Sequence, residues 1–189
     1  MPHAHLRAAS PWVIDTRAIG LSKHDGPGLA HRLDIRGPAP DHTVSGVLEV
    51  PGGSEVSVTG LMESVAEGVL VTGEVSALAV GSCSRCLRDI EVPVVATFRE
   101  MFAYPDSVTA ETTDPDEVPH LVDEAADLAP LVHDELVLAM PAIPVCRPDC
   151  PGLCPDCGER MDGVGPDHRH ETMDPRWAAL AMMKDTKGK

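Results

Sequence analysis

The sequence is poor in aromatic residues: tryptophan, tyrosine and phenylalanine make up 3% of its 189 positions. Proteins that bind single-stranded nucleic acids stack bases on several exposed rings, so this shortage counts against such a function. No apolar run reaches the roughly 18 residues that a membrane-spanning helix needs. The amino-terminal stretch also lacks the apolar core of a secretory signal, and we therefore expect a cytoplasmic protein.

The sequence also lacks the short motifs of common hydrolases and nucleotide-binding enzymes. It contains no His-Glu-x-x-His, no Gly-x-Ser-x-Gly and no Gly-x-x-x-x-Gly-Lys pattern. Such residues would supply a metal-bound water, a nucleophile or a phosphate-binding loop. An enzyme is the weaker interpretation, and we expect a protein without catalytic activity.

Positive charge is missing from a long central stretch. The formal net charge is −15, and no Lys or Arg occurs between Arg99 and Arg147. The acidic residues of this stretch include Asp106, Glu111, Asp114, Asp116, Glu117, Asp123, Glu124, Asp127, Asp134 and Glu135. A field of this sign repels phosphate backbones and favours basic partners. We hypothesise that region 106–135 binds a basic protein; a solvated acidic loop that aids solubility is the alternative.

Apolar and β-branched residues recur in the first half of the chain as they do in half-buried β-strands. The predicted strands are 12–19, 33–35, 47–50, 55–61, 68–80 and 89–102. Cys83 and Cys86 fall between the last two strands, so we expect this pair at the tip of a hairpin. We predict an α+β fold with an antiparallel sheet that is partly barrel-like.

Two helices are predicted in the second half. The first runs over 128–140, with Asp127 as its cap and Pro141 at its end. The second is a terminal helix over 176–183, preceded by Asp174 and Pro175. We divide the chain into a β-rich domain with the first Cys-x-x-Cys, an acidic linker or loop, and a helix followed by a zinc-binding carboxy-terminal segment. The three ranges are 1–104, 105–125 and 126–189.

What the sequence does contain is a set of closely spaced cysteines. The six are Cys83, Cys86, Cys146, Cys150, Cys154 and Cys157. The reducing cytoplasm disfavours disulfides, and a two-residue gap lets both thiolates of a Cys-x-x-Cys knuckle bind one tetrahedral ion. Gly158 supplies the positive φ that a chain needs to turn beneath a bound metal. We predict structural Zn²⁺, as one or two ions.

His168 and His170 raise the number of candidate ligands to eight, enough for two closed tetrahedral sites. Residues i and i+2 of an extended segment share a face, so both imidazoles can bind one ion. The preferred division assigns Cys83, Cys86, Cys146 and Cys150 to one ion, and Cys154, Cys157, His168 and His170 to the other. Spacing alone also permits one site of Cys146, Cys150, Cys154 and Cys157, or a zinc-ribbon pairing of Cys83 and Cys86 with Cys154 and Cys157.

Several competing interpretations stay open. Cys83 and Cys86 can be a redox pair, or the metal can be catalytic, which would make the chain a thiol-redox or metal-dependent enzyme. The two histidines can be a surface feature without a ligand role. A zinc-ribbon module that binds RNA would use the cations around the cysteines, which are Arg85, Arg88, Arg147 and Arg169.

Four motifs carry a resemblance to a known family. They are Cys83-Ser-Arg-Cys-Leu87, Leu138-Ala-Met-Pro-Ala-Ile-Pro-Val-Cys146, Cys150-Pro-Gly-Leu-Cys-Pro-Asp-Cys-Gly158 and Asp174-Pro-Arg-Trp-Ala-Ala-Leu180. In order and spacing they resemble the YceD family, of an actinobacterial type, over residues 12–183. The resemblance implies a role in accumulation of large-subunit ribosomal RNA and in assembly of that subunit. The implied partner is a ribosomal protein or an assembly factor, with ribosomal RNA inside the complex.

The resemblance also bears on the division of ligands. Some relatives keep the first Cys-x-x-Cys and the ligand positions of Cys146 and Cys150, yet lack the Leu-Cys-x-x-Cys-Gly block. This pattern implies that the first site is a separable unit. Many relatives carry Cys-x-Cys where this chain has His168-Arg-His170, so the second site departs from them in its ligand types.

Overall fold

The computed structural model describes residues 10–22, 26, 28–114 and 117–170. The predicted terminal helix over 176–183 lies outside the described residues. The strands are β1 (Val13–Asp15), β2 (Ala30–Pro38), β3 (Val44–Ser45), β4 (Leu48–Glu49), β5 (Glu55–Ser64), β6 (Gly68–Ser82), β7 (Asp89–Ala103) and β8 (Ala125–Asp127). The helices are α1 (Val108–Thr112) and α2 (Ala129–Ala139). The α+β class with a mainly antiparallel sheet is thus confirmed.

The main sheet is built around the long hairpin of β6 and β7. These strands pair from Gly68 opposite Ala103 to Ser82 opposite Asp89. On its other edge β6 pairs first with β5 and then, near its end, with β4. β2 pairs with β5, and β3 pairs with β4. Because no described strand joins β2 to β7, the sheet is open and does not close into a barrel.

Every second residue of the central strands points into the core, as the two-residue period of a strand requires. Val58 of β5, Val75 of β6 and Val94 of β7 are buried in one apolar cluster with Val132 and Leu136 of α2. The arginines and acidic residues of these strands lie on the opposite face, except Glu100 of β7, which shares the face of Phe98 and Phe102. The helix covers the hairpin and thereby brings its own carboxyl end towards the hairpin tip.

A small second sheet ties the amino-terminal segment to the start of α2. β1 pairs with β8 with Val13 opposite Asp127, and the backbone N–H of Leu128 donates to Trp12 O. The Trp12 ring is buried, and its Nε1 donates to Pro38 O at 3.0 Å. A side chain at Gly37 would collide with this ring. The contact therefore joins the amino-terminal segment to β2 of the main sheet.

Some elements differ from the sequence prediction. β2 is longer than the predicted strand 33–35. The rest of it was missed because its residues are mostly exposed and polar, and it is held mainly by backbone pairing with β5. α1 and β8 were not predicted. α1 is a single turn capped by the Ser107 hydroxyl, and β8 has only Ala and Asp to signal a strand. α2 lies within the predicted range. Its N-cap is Leu128 and not the predicted Asp127, although the Asp127 carboxylate still accepts from Ala129 N.

Candidate metal centres

The hairpin tip and the segment after α2 bring four cysteines together. Cys83 and Cys86 lie in the turn between β6 and β7, which confirms the predicted hairpin position. Cys146 and Cys150 arrive from the chain beyond α2. The backbone N–H of Ser84 donates to Pro144 O at 2.8 Å and thereby holds this chain against the turn. The four ligand atoms all lie within 4.8 Å of one another.

The sulfur separations test whether a metal would fit. Metal–sulfur bonds of about 2.3 Å in a tetrahedron place neighbouring sulfurs about 3.8 Å apart. Cys83 Sγ lies 3.8 Å from Cys150 Sγ, and Cys86 Sγ lies 3.7 Å from Cys146 Sγ. A disulfide would need about 2.0 Å. The geometry therefore matches four thiolates around one ion and does not match a pair of disulfides.

This first group is enclosed by protein. Cys83, Cys86 and Cys150 are buried, Cys146 is half-buried, and Ile90, Val145 and Leu153 pack around them. Water is thus largely kept away from the sulfurs. If all four cysteines bind, no coordination position faces solvent, which is the arrangement of a structural rather than a catalytic site.

Local hydrogen bonds favour one ionised sulfur in this group. Burial is the largest influence on Cys83 and raises its pKa, but backbone N–H groups of Cys146, Cys86 and Arg85 outweigh it and lower the pKa to about 6. Burial raises the pKa of Cys146 to about 12 and also raises that of Cys150. Thiolates rather than thiols bind metals, so a bound cation would supply the charge that keeps the buried sulfurs ionised.

The second group consists of Cys154, Cys157, His168 and His170, whose ligand atoms also lie within 4.8 Å of one another. A tetrahedral ion bound by sulfur and imidazole places those atoms about 3.6 Å apart. Cys157 Sγ lies 3.6 Å from His168 Nε2, which matches this value. The two Nε2 atoms are 2.9 Å apart, closer than the roughly 3.3 Å of a tetrahedral edge.

The second group is the more open of the two. Cys154 is buried, whereas Cys157 and His170 are exposed. Backbone N–H groups of Cys157 and Asp156, together with the His168 ring, lower the pKa of Cys154 to about 6. In each group, therefore, backbone N–H groups lower the pKa of one sulfur, with Cys146 contributing at Cys83 and His168 at Cys154.

Both knuckles have the same backbone pattern. Leu87 N donates to Cys83 O at 2.9 Å, and Gly158 N donates to Cys154 O at 2.9 Å. The donating residue is left-handed in each case, with φ 56° at Leu87 and 74° at Gly158. The positive φ expected at Gly158 is confirmed, whereas Leu87 adopts the same conformation at a steric cost.

The second knuckle is docked directly on the first. Arg160 Nε donates to Cys86 O at 3.0 Å, and Arg88 Nη2 lies 2.7 Å from Asp162 Oδ2. The Asp162 carboxylate raises the pKa of the Arg88 guanidinium. Leu153 of the second segment packs among the sulfurs of the first group. The two groups thus form one continuous carboxy-terminal unit built on the hairpin tip.

The preferred division of the eight candidate ligands places them in these two groups, and the structure brings them together in the same way. That either group binds a metal stays a prediction. The docking residues Arg160 and Asp162 were missed, because contacts between residues far apart in sequence leave no local pattern. The alternative divisions of the ligands do not correspond to any group of ligand atoms in the described residues.

No described helix is long and apolar enough to cross a membrane.

Comparisons with known proteins show which family the chain belongs to. Residues 71–184 match the family model described as large ribosomal RNA subunit accumulation protein YceD. This span includes both cysteine groups and α2. No solved structure matches the chain significantly.

Several curated proteins are similar to most of the chain. The uncharacterized protein Rv2926c of Mycobacterium tuberculosis is 43% identical over 182 residues, which cover 96% of this chain and 86% of that protein. The uncharacterized protein ML1660 of Mycobacterium leprae is 37% identical over 174 residues, covering 92% and 78%. The uncharacterized protein YlbN of Bacillus subtilis is 27% identical over 128 residues, covering 67% and 73%.

Proposed function

We propose that this chain, which belongs to the YceD family of large ribosomal RNA subunit accumulation proteins, assists biogenesis of the large ribosomal subunit. In this proposal it is not an enzyme, and bound zinc stabilises its fold. The observation that carries the metal part is the sulfur tetrahedron at the hairpin tip, with edges of 3.7 and 3.8 Å. The match to the family model supports the ribosomal part of the proposal.

The donor set supports zinc. Four thiolates in a tetrahedron suit zinc or iron, and a mixed pair of thiolates and imidazoles is a common structural zinc set. A single metal that satisfies both groups is therefore Zn²⁺, with one ion in the first group and a second in the more exposed group. Its role would be to fix the segment after α2 to the hairpin tip.

The same geometry supports a role without catalysis. A catalytic zinc keeps one position open for water or substrate, whereas each group here supplies four protein ligands. The partner we propose is a basic ribosomal protein or an assembly factor, with ribosomal RNA present inside the complex, in the cytoplasm. The arginines around the first knuckle support RNA clamping less well, because Arg85 donates to Cys150 O and Arg88 pairs with Asp162.

A test in cells separates the ribosomal role from a general growth defect. Deletion of the gene should lower the ratio of large to small subunits in sucrose gradients and reduce mature large-subunit ribosomal RNA. The wild-type chain should restore both, and a Cys83→Ser variant should fail to do so. Unchanged subunit ratios and ribosomal RNA in the deletion strain would contradict the proposal.

A thiol-redox enzyme is the second candidate, favoured by the low pKa of Cys83, about 6, beside a second cysteine in Cys-x-x-Cys spacing. Alkylation of protein purified under air distinguishes the two. Metal-bound thiolates should be protected until a chelator is added and should then all react. A Cys83–Cys86 disulfide that forms in air and is opened by mild reductant would favour the redox enzyme.

A further inference from the structure

A groove of about 510 Å³ lies between the first turns of α2, the end of β7 and the segment that precedes β8. It is distinct from both cysteine groups. Five carboxylates border it, those of Glu100, Glu117, Asp127, Asp134 and Glu135. They come from three separate parts of the chain, so the fold, and not one acidic run, concentrates the charge here.

No permanent cation compensates this charge from the elements that form the groove. α2 and the segment 117–127 contain no Lys or Arg. Arg99 of β7 points to the opposite face of the sheet, because neighbouring residues of a strand alternate. Asp134 Oδ1 lies 2.7 Å from His133 Nδ1, and Asp127 accepts from Ala129 N. Neither contact brings a Lys or Arg to the groove.

The carboxylates are too far apart to hold one metal ion together. In the part of the chain that the structure describes, only the two cysteine groups place three or more potential ligand atoms within 4.8 Å of one another. The acidic side chains instead line the groove from three separate parts of the chain. Such a distribution fits several cations spaced along a chain better than it fits a single ion.

The groove also offers apolar surface. Phe102, Pro119, Pro130 and Leu131 line it between the carboxylates. Leu138, two helical turns beyond Leu131 on the same face of α2, is 79% exposed. An apolar side chain of a partner could therefore pack between the acidic residues, which a purely ionic contact would not require.

We propose that this groove binds an extended basic segment of a protein partner, with its Lys or Arg side chains on the carboxylates, one apolar side chain against Leu131 and a second against Leu138, two turns further along α2. Only one part of this inference rests on the proposed function, namely that the partner is a ribosomal protein or an assembly factor. The charge and the apolar stripe specify the chemistry of the segment, and they disfavour RNA because its phosphates carry the same sign as the groove.

The test uses the full zinc-loaded chain and a fluorescent peptide in which Lys and Arg alternate with Leu, measured by anisotropy at physiological salt. The groove variant is Glu117→Gln with Asp134→Asn and Glu135→Gln. The matched control is Glu49→Gln with Glu74→Gln and Glu91→Gln, three exposed residues on the opposite face of the sheet. The groove variant should weaken binding about tenfold, because three ion pairs at an exposed interface are lost. The control should change it less than about twofold.

The apolar part has its own control. Leu138→Ser should weaken the leucine-containing peptide severalfold and leave a leucine-free oligolysine unchanged, whereas Val95→Ser on the opposite face should affect neither. Equal losses in both triple variants would overturn the inference, since bulk charge alone would then explain binding. So would tighter binding of a poly(U) probe than of the peptide. Both binding experiments use purified protein. Their outcome is therefore independent of the subunit ratios in cells, which test the ribosomal role.

Discussion

At the residue scale, the two knuckles place different side chains in the same strained position. Leu87 is 61% exposed and left-handed, whereas its counterpart Gly158 carries no side chain to strain. A left-handed conformation costs a residue with a Cβ about 1–2 kcal/mol. The hairpin knuckle thus forms against a local penalty that the surrounding contacts have to offset.

This comparison gives the first prediction. Leu87→Gly should raise the free energy of unfolding by about 1 kcal/mol, because relief of strain exceeds the extra entropy of glycine in the unfolded chain. Gly158→Ala should lower it by about the same amount. Urea unfolding of the two variants measures both changes. A loss of stability in Leu87→Gly would show that the exposed leucine makes contacts that outweigh the strain.

The cysteines themselves give the second prediction. Cys83→Ser should abolish one bound metal and lower the midpoint of thermal unfolding by roughly 10 °C or more, since the buried first group joins the hairpin to the segment after α2. Cys157→Ser should abolish the other metal with a smaller shift, because that residue is exposed. Native mass spectrometry and calorimetry measure both. Equal shifts would contradict the distinction between a central and a peripheral centre.

At the element scale, α2 holds the hairpin in place through one face. Leu136 has no exposed surface, whereas Leu138 on the outer face is 79% exposed. Leu136→Ala should therefore cost about 2–5 kcal/mol of stability, and Leu138→Ala less than about 0.5 kcal/mol. Denaturant unfolding compares the same substitution twice in one helix. Similar costs at the two positions would mean that the outer face is covered in solution.

The elements that sequence reasoning found are those with a local signal. The long hairpin of β6 and β7 was predicted because two segments rich in β-branched residues flank the first cysteine pair, and α2 because of its flanking residues and the spacing of its apolar residues. β8 was missed because its strand conformation depends on pairing with β1, more than a hundred residues earlier in the sequence. The extent of β2 was missed for the same reason: β5 supplies its backbone partners.

The candidate centres followed from sequence for a different reason. Metal ligands must be of particular residue types, and a knuckle fixes their spacing, so Cys83 and Cys86 could be recognised without a structure. Their partners among the later cysteines were a choice between several spacings. The choice was decided only by the path of the chain after α2, where Ser84 N binds Pro144 O.

At the scale of the whole molecule, one end of the sheet carries the candidate metal centres and the side of α2 carries the acidic groove. The core joins β5, β6, β7 and α2 into one apolar cluster, and the first cysteine group forms a second with Ile90, Val145 and Leu153. Ile90 of β7 packs against both clusters and thereby links the first centre to the core at the hairpin tip. We regard this link as the feature that makes the carboxy-terminal unit part of the fold.

The different exposure of the two groups predicts a graded loss of metal. A chelator should remove one equivalent quickly from the group with the exposed Cys157 and His170, and a second equivalent slowly from the buried group. Release into a colorimetric zinc indicator measures the two phases. In a His168→Ala/His170→Ala variant the fast phase alone should disappear. A single phase in the wild-type chain would contradict the assignment.

The central claim is that a four-thiolate metal centre fastens the hairpin tip to the segment after α2. Zinc K-edge absorption of the His168→Ala/His170→Ala variant tests it most directly, because only the first group then keeps all its ligands. The account predicts one zinc per chain with four sulfur neighbours at about 2.3 Å. A metal-free chain with Cys83 and Cys86 joined in a disulfide, or zinc with nitrogen or oxygen neighbours, would contradict it.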